Sequence, residues 1–211
     1  MPRLLKRLNA AALIALCFAI PLSTPAADDP TAAITARIVQ ARDYTSSFVV
    51  LAKQSLTNSP ADLQQAQKLY ASAYADYNAW VAYVKTALED GKSKNLGTDA
   101  DYQKISSDAA TAGSQFTNFV DSKTGGSKAV TAILSSLGAL GLQLWNGIKD
   151  RVQKDRTTAA TNFEQDTKWL PWESITTDPV KAAKPAQTNS ATPPGRANSS
   201  SQPTQASTST P

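Results

Sequence analysis

Apolar residues recur at alternating steps of three and four positions through most of the chain. The longest uninterrupted series follows Ser59-Pro60, and this spacing places one apolar stripe along an α-helix. The stripe consists of Leu63, Ala66, Tyr70, Ala73, Tyr77, Trp80, Val84 and Ala87. A flanking line of apolar residues, Tyr74, Val81 and Leu88, widens it. A stripe of this width favours coiled-coil-like packing in a bundle of three or more helices over a two-stranded seam.

Two more segments show helical spacing between residues that typically begin and end helices. We predict helix starts at Asp29-Pro30, at Ser59 and at Thr98, which has Asp101 three positions later. Gly91 and the Gly125-Gly126 pair are predicted to end the second and third helices. The first stripe is Ile34, Ile38, Ala41, Tyr44, Phe48, Leu51 and Ser55, and the third is Tyr102, Ile105, Ala109, Ala112, Phe116 and Phe119.

Residues 129–148 contain no charged side chain, which raises the question of membrane contact. On a helical projection one side is apolar, except that Leu142 falls on the other side, where small and polar residues collect. The apolar side comprises Val130, Ile133, Leu134, Leu137, Leu140, Leu144, Trp145 and Ile148. We predict that this side continues through Val152, Ala159 and Phe163, past charged residues that a bilayer core disfavours. The segment is therefore interpreted as one wall of a soluble bundle. Surface contact or conditional insertion of residues 129–148, and a true membrane span, are the alternatives.

The N-terminal residues 1–27 have the three-part pattern of a secretory signal peptide. Basic residues precede a short apolar run, and small residues follow near Ala27. Cys17 lies within the apolar run and follows Leu16, whereas a lipoprotein signal places a small residue before its cysteine. We expect cleavage near Ala27 or Asp28 without lipid attachment, and a bacterial periplasmic or secreted location.

The mature composition excludes several kinds of chemistry. With the only cysteine and the initiator methionine in the leader, the remaining chain has no Cys, His or Met, so thiol and imidazole mechanisms are absent. Three of the 21 basic residues also leave, and the remaining 18 face 17 acidic residues. This balance excludes the clustered positive charge that nucleic-acid binding needs. We identify no catalytic, cofactor-binding or metal-binding residues and predict that the protein is not an enzyme.

Three aromatic residues are candidates for partner binding. Trp169 and Trp172 flank Leu170-Pro171, where the proline is predicted to stop the last helix. They either fold back to close the bundle or form an exposed docking peptide. Tyr83 lies outside the stripe of the second helix, and Tyr and Trp are favoured anchors in protein interfaces.

The sequence as a whole predicts an all-α protein. We expect an antiparallel bundle of about four long helices over residues 28–172, followed by a disordered Pro-, Ser-, Thr- and Gln-rich tail over residues 173–211. The first functional hypothesis is a non-catalytic interaction or assembly protein of the bacterial cell envelope, with a protein partner and with homo-oligomerisation left open. The alternatives are a membrane-active helical protein and, more weakly, a carrier of an apolar ligand.

Overall fold

The computed structural model describes residues 30–125 and 133–176, and the regular secondary structure among them is entirely helical, with no strand. The predicted signal peptide, Asp29 and nearly all of the predicted tail lie outside the described residues. The α-helices are α1 (Pro30–Ser55), α2 (Pro60–Asp90), α3 (Ala100–Thr124), α4 (Leu137–Ile148) and α5 (Gln153–Thr167), with short 3-10 helices at Gly91–Ser93 and Trp172–Ser174. The all-α prediction is confirmed.

Helix α2 is the centre of the packing. It lies along α3 and α5, and α4 packs against α1 and α3. Seven of the eight residues in its predicted stripe are buried, as are the flanking Val81 and Leu88, while Leu63 at its start is half-buried. Contacts at the two ends of α2 show which parts of α3 and α5 lie beside them. Near its start Asp62 pairs with Lys123 of α3 at 2.9 Å, and near its end the carbonyl of Glu89 accepts from the Gln153 amide of α5 at 3.3 Å.

The helix ends agree with the sequence at the glycines and differ at the caps. Gly91 (φ 62°) and Gly125 (φ 70°) end α2 and α3 with a positive φ that favours glycine, and Gly125 is in the left-handed helical region. Thr98 was the wrong cap for α3. Asp99 caps that helix instead, accepting from the backbone N–H groups of Asp101 and Tyr102 at 3.0 and 3.1 Å. Ser59 precedes α2 as predicted, but its hydroxyl donates to Asp62 rather than accepting from the backbone.

The predicted fourth helix is divided. Its apolar side is buried from Leu134 to Ile148, but the chain turns between Ile148 and Gln153 and starts α5 in a new direction. The prediction that the same apolar side runs on through Val152 was wrong, because Val152 is 67% exposed. Phe163 of α5 is buried, and Ala159 is half-buried. Residues 129–132 lie outside the described residues.

The packed part of the chain extends beyond Trp172. Ile175 belongs to the core and is 6% exposed, so the predicted start of the tail at residue 173 was wrong. In α1 the predicted stripe also drifts towards Thr45, Val49 and Ala52, which are buried, while Ser55 is exposed. Long helices shift their buried face in this way because 3.6 residues per turn do not match a strict three-four repeat.

Candidate partner-binding site

The structure brings two of the three predicted partner-binding residues together. Trp169 and Trp172 lie in residues 169–175, which we call the WLPW segment, and both indoles contact Tyr70 of α2. Tyr83 lies 13 residues further along the same helix, which corresponds to about 20 Å. Tyr83 therefore belongs to a separate site.

Trp169 is inserted between helices as an anchor and is 2% exposed. Its indole stacks on Tyr77, with ring centroids 4.3 Å apart and planes 19° from parallel, and on Tyr70 at 5.9 Å and 12°. Stacked aromatic pairs contribute about 0.5–1.5 kcal/mol beyond the area that they bury. Two roles were predicted for this tryptophan, folding back to close the bundle or forming an exposed docking peptide. Trp169 folds back and closes the bundle.

Trp172 lies at the rim of the same site and is half-buried. Its ring meets Tyr70 edge-on at 5.6 Å and Phe116 of α3 at 6.4 Å. The ammonium group of Lys53 lies 5.4 Å from the ring centroid, within the range of a cation–π contact. Trp172 thus connects α1, α2 and α3 through one side chain.

Side chains of α1 and α2 bind the main chain of the WLPW segment. Asn78 uses both ends of its amide: Oδ1 accepts from the Trp169 N–H at 3.0 Å, and Nδ2 donates to the Trp169 carbonyl at 3.5 Å. The Tyr70 hydroxyl donates to the Leu170 carbonyl at 2.5 Å. Lys53 Nζ donates to the carbonyls of Trp172 and Ile175 at 2.6 and 2.5 Å. These contacts fix the main chain of the segment, including its 3-10 helix at Trp172–Ser174.

The electrostatics of this site follow from its burial. Burial lowers the pKa of Lys53, and the nearby carboxylate of Glu173 opposes that change. Burial also raises the pKa of the Tyr70 and Tyr77 hydroxyls well above their ordinary value. Both shifts disfavour the charged forms of these side chains, because the site is partly removed from water.

The outer side of the WLPW segment faces solvent. Leu170 is 53% exposed, and Pro171 and Glu173 beside it are exposed as well. Among the described residues, only Leu170 and Val152 are large apolar side chains with this much exposure. The segment thus presents an apolar pair, Leu170 and Pro171, above an anchored tryptophan.

Sequence reasoning missed the residues that hold the segment. Asn78 lies inside a helix beside the apolar stripe, where an amide has poor helix propensity, and that mismatch was the available signal. Lys53 is a basic residue in the last turn of α1, a common position at the negative end of a helix dipole. Pairing either residue with a segment about 100 positions away requires the tertiary structure.

Tyr83, a residue of α2, contacts the start of α3. Its hydroxyl donates to Asp99 Oδ2 at 2.7 Å, and the ammonium group of Lys94 lies 3.9 Å from its ring centroid. The bond from Tyr83 is the main reason that the pKa of the Asp99 carboxyl is lowered. Tyr83 is half-buried and supports the residue that caps α3. Its role in partner binding stays a prediction.

Helix α4 directs its large side chains inward and leaves two shallow surface grooves beside it. The groove between α3 and α4 measures about 460 Å³ and that between α1 and α4 about 360 Å³. Small and polar side chains, including Ser106, Thr111 and Ser135, line much of the larger one. No described helix combines the length and the apolar character needed to cross a membrane. Within the same described ranges, no group of three or more potential metal-binding side chains occurs.

Comparisons of the chain with protein-family models, with curated proteins and with solved structures found no match. The functional argument therefore depends on the residues and contacts described above.

Proposed function

We propose that the protein is an exported, non-catalytic interaction or assembly protein of the bacterial cell envelope. The observation that carries this proposal is the WLPW segment. It anchors Trp169 in the core and exposes Leu170 and Pro171 at the surface. Apolar side chains that a folded protein exposes on a firmly held segment are available to a partner, and the cores of protein interfaces are largely apolar. Export is proposed from the sequence pattern of residues 1–27.

An antiparallel bundle of about four long helices is part of the same proposal. The order of contacts supports it, because Tyr83 meets the start of α3 whereas Asp62 meets its end. Likewise Glu89 contacts the start of α5, Trp80 contacts Phe163 near the middle, and Tyr70 contacts the chain after α5. The described residues contain five α-helices, because the turn at residues 149–152 divides the predicted fourth helix into α4 and α5.

Site-specific photocrosslinking in the native envelope tests this function. A photoreactive phenylalanine analogue replaces the exposed Leu170 in one variant, and Asn162, exposed on α5, in a matched control. We expect Leu170 to give one or a few defined protein adducts that are absent at Asn162. Mass spectrometry then identifies the partner. Equal, diffuse adducts at both positions, or none at either, would contradict the proposal.

The second candidate is a membrane-active protein in which α4 leaves the bundle. The specific observation in its favour is that α4 has no charged residue, contains three glycines and is followed by a turn at residues 149–152. Against it, the large side chains of α4 are buried in the core. A dye-release assay decides: the folded mature protein is mixed with anionic liposomes, and we expect no release. Release at low protein concentration would replace the first proposal by the second.

A further inference from the structure

Side chains, rather than backbone hydrogen bonds, join the WLPW segment to the helices. The last backbone bond of α5 runs from the Lys168 N–H to the Glu164 carbonyl at 3.1 Å. Beyond it, the backbone–backbone bonds described for the segment stay within the segment, as from the Ile175 N–H to the Trp172 carbonyl at 3.3 Å. The segment therefore separates from the bundle without breaking a helical hydrogen bond.

The closed position of the segment buries two polar atoms at its centre. Tyr77 Oη and Trp169 Nε1 belong to rings that stack 4.3 Å apart, and neither atom has a hydrogen-bond partner among the described residues. A buried polar group without a partner has lost its bonds to water, and this loss disfavours the closed state. The stacking and the five bonds from Asn78, Tyr70 and Lys53 to the main chain of the segment act in the other direction.

A rotation at one residue is enough to open the segment. Thr167 is buried at the end of α5, whereas the side chain of Lys168 is exposed. Since Lys168 alone separates Thr167 from Trp169, the Cα atoms of these two residues stay within about 7 Å of each other in any conformation. Rotation at Lys168 swings residues 169–175 outward while Thr167 keeps its place in the bundle.

We propose that the WLPW segment is a latch, which opens as a unit while the helices stay folded, and that the envelope partner binds the open form. In the closed form Leu170 and Pro171 are exposed but Trp169 is buried. In the open form all four residues from Trp169 to Trp172 form one apolar peptide, and tryptophans are favoured anchors in protein interfaces. The bundle thus withholds its strongest anchor from the partner, a protein with an apolar groove for the Trp169 indole. This inference rests on the proposed function and adds the regulation of the same site.

Exchange of the indole N–H hydrogens with solvent tests the opening. Trp80 and Trp169 are a matched pair, because both indoles are buried and neither Nε1 atom has a hydrogen-bond partner among the described residues. In NMR spectra of the mature chain, Trp169 should exchange at least about tenfold faster than Trp80, and low urea concentrations should accelerate it less, because opening exposes less surface than unfolding. Equal rates with equal urea dependence would show that the segment opens only when the bundle unfolds, and would overturn the latch.

Two substitutions should change this exchange in opposite directions. Asn78→Ala removes both hydrogen bonds to the main chain of Trp169 and should speed the exchange of its indole about tenfold. Tyr77→Phe keeps the stacked ring but removes the buried hydroxyl, so it should slow that exchange at least about threefold. Ala79→Ser, at an exposed position, is the control. If Asn78→Ala does not speed the exchange, or Tyr77→Phe does not slow it, these contacts do not control the opening and the proposal falls.

Photocrosslinking in the native envelope tests the link to the partner. The photoreactive analogue at residue 170 is combined with Asn78→Ala, with Tyr77→Phe or with the control Ala79→Ser. Compared with the control, the yield of the defined adduct should rise at least about threefold with Asn78→Ala and fall with Tyr77→Phe, because the two variants shift the population of the open form. The same yield in all three would overturn the latch and leave the proposed function in place. Absence of the adduct from every variant would overturn both.

Discussion

Trp80 lies in the aromatic core with no exposed surface, 5.5 Å from the ring of Tyr77 and 6.1 Å from that of Phe163. Replacing Trp80 with alanine removes both contacts and leaves a cavity. We expect the free energy of unfolding to fall by about 3–5 kcal/mol. Chemical denaturation measures the loss. Ala79→Ser, at an exposed neighbouring position, is the control, and similar midpoints for the two variants would contradict the assignment of this helix face.

Ionisation of Tyr102 should lower the free energy of unfolding at alkaline pH. Its hydroxyl donates to the Gly138 carbonyl at 2.5 Å, and burial raises its pKa from 10.0 to about 12. Because the folded state holds this proton more tightly than the unfolded state, the contribution is complete below about pH 10 and is lost as pH rises towards 12. The shift corresponds to roughly 2–3 kcal/mol.

Denaturation midpoints between pH 8 and pH 11.5 measure this dependence. The midpoint should stay level up to about pH 10 and then fall. Tyr102→Phe is less stable at neutral pH, since it lacks one hydrogen bond, but its decline above pH 10 should be shallower. An identical slope in both proteins would assign the effect to the other buried tyrosines.

At the residue scale, the sequence predicted which side chains are buried more accurately than which groups form hydrogen bonds. Burial in α2 follows from regular spacing, which a long helix preserves over its whole length. The cap of α3 was misplaced by one residue because Thr98 and Asp99 are both good caps. Asp99 also accepts from Tyr83, and that contact between two helices is absent from the local sequence.

At the scale of elements, the turn between α4 and α5 is the main departure from the sequence prediction. No glycine or proline marks residues 149–152. Contacts with the end of α2 hold the turn instead: Trp145 Nε1 donates to the Gly91 carbonyl at 3.2 Å, and the Arg156 guanidinium donates to the carbonyl of Glu89. The same guanidinium also donates to the Arg151 carbonyl within the turn. A helix break that depends on tertiary contacts cannot be recognised from the spacing of apolar residues in the sequence.

Helix α4 also supplies a test of which side faces the core. Leu144 is 1% exposed and its neighbour Gln143 is exposed. Leu144→Lys must bury a charge among apolar groups, which costs several kcal/mol, and we expect loss of the cooperative thermal transition. Gln143→Lys should change the free energy of unfolding by no more than about 0.5 kcal/mol. Circular dichroism melts compare them, and a stable Leu144→Lys protein would refute the buried orientation.

At the scale of the whole molecule, the WLPW segment follows α5 and closes the bundle that the preceding helices form. A chain that ends at Thr176 keeps every described contact of the segment, so its melting temperature should match that of the full mature chain. A chain that ends at Lys168 loses Trp169 and Trp172, and its melting temperature should fall by roughly 10 °C or more. Equal melting temperatures for the two truncated chains would show that the segment adds little to stability.

The sequence indicated this segment but left its role open. Two tryptophans around Leu170-Pro171 predicted a special function, and the proline predicted the end of the helix. Periodicity carries no information on a segment that is not helical. The backbone contacts made by Asn78 and Lys53 therefore required the folded structure.

The placement of the four tryptophans affects the fluorescence of the protein. Trp80, Trp145 and Trp169 are at most 4% exposed, whereas Trp172 is half-buried beside the ammonium group of Lys53. Indole emission moves to longer wavelength when the ring enters water, and tyrosines stacked on an indole transfer their excitation to it. Release of the WLPW segment alone would change the signals of Trp169 and Trp172 and leave those of Trp80 and Trp145 in place. The chain thus contains its own fluorescent reporters, which distinguish opening at one end from loss of the fold.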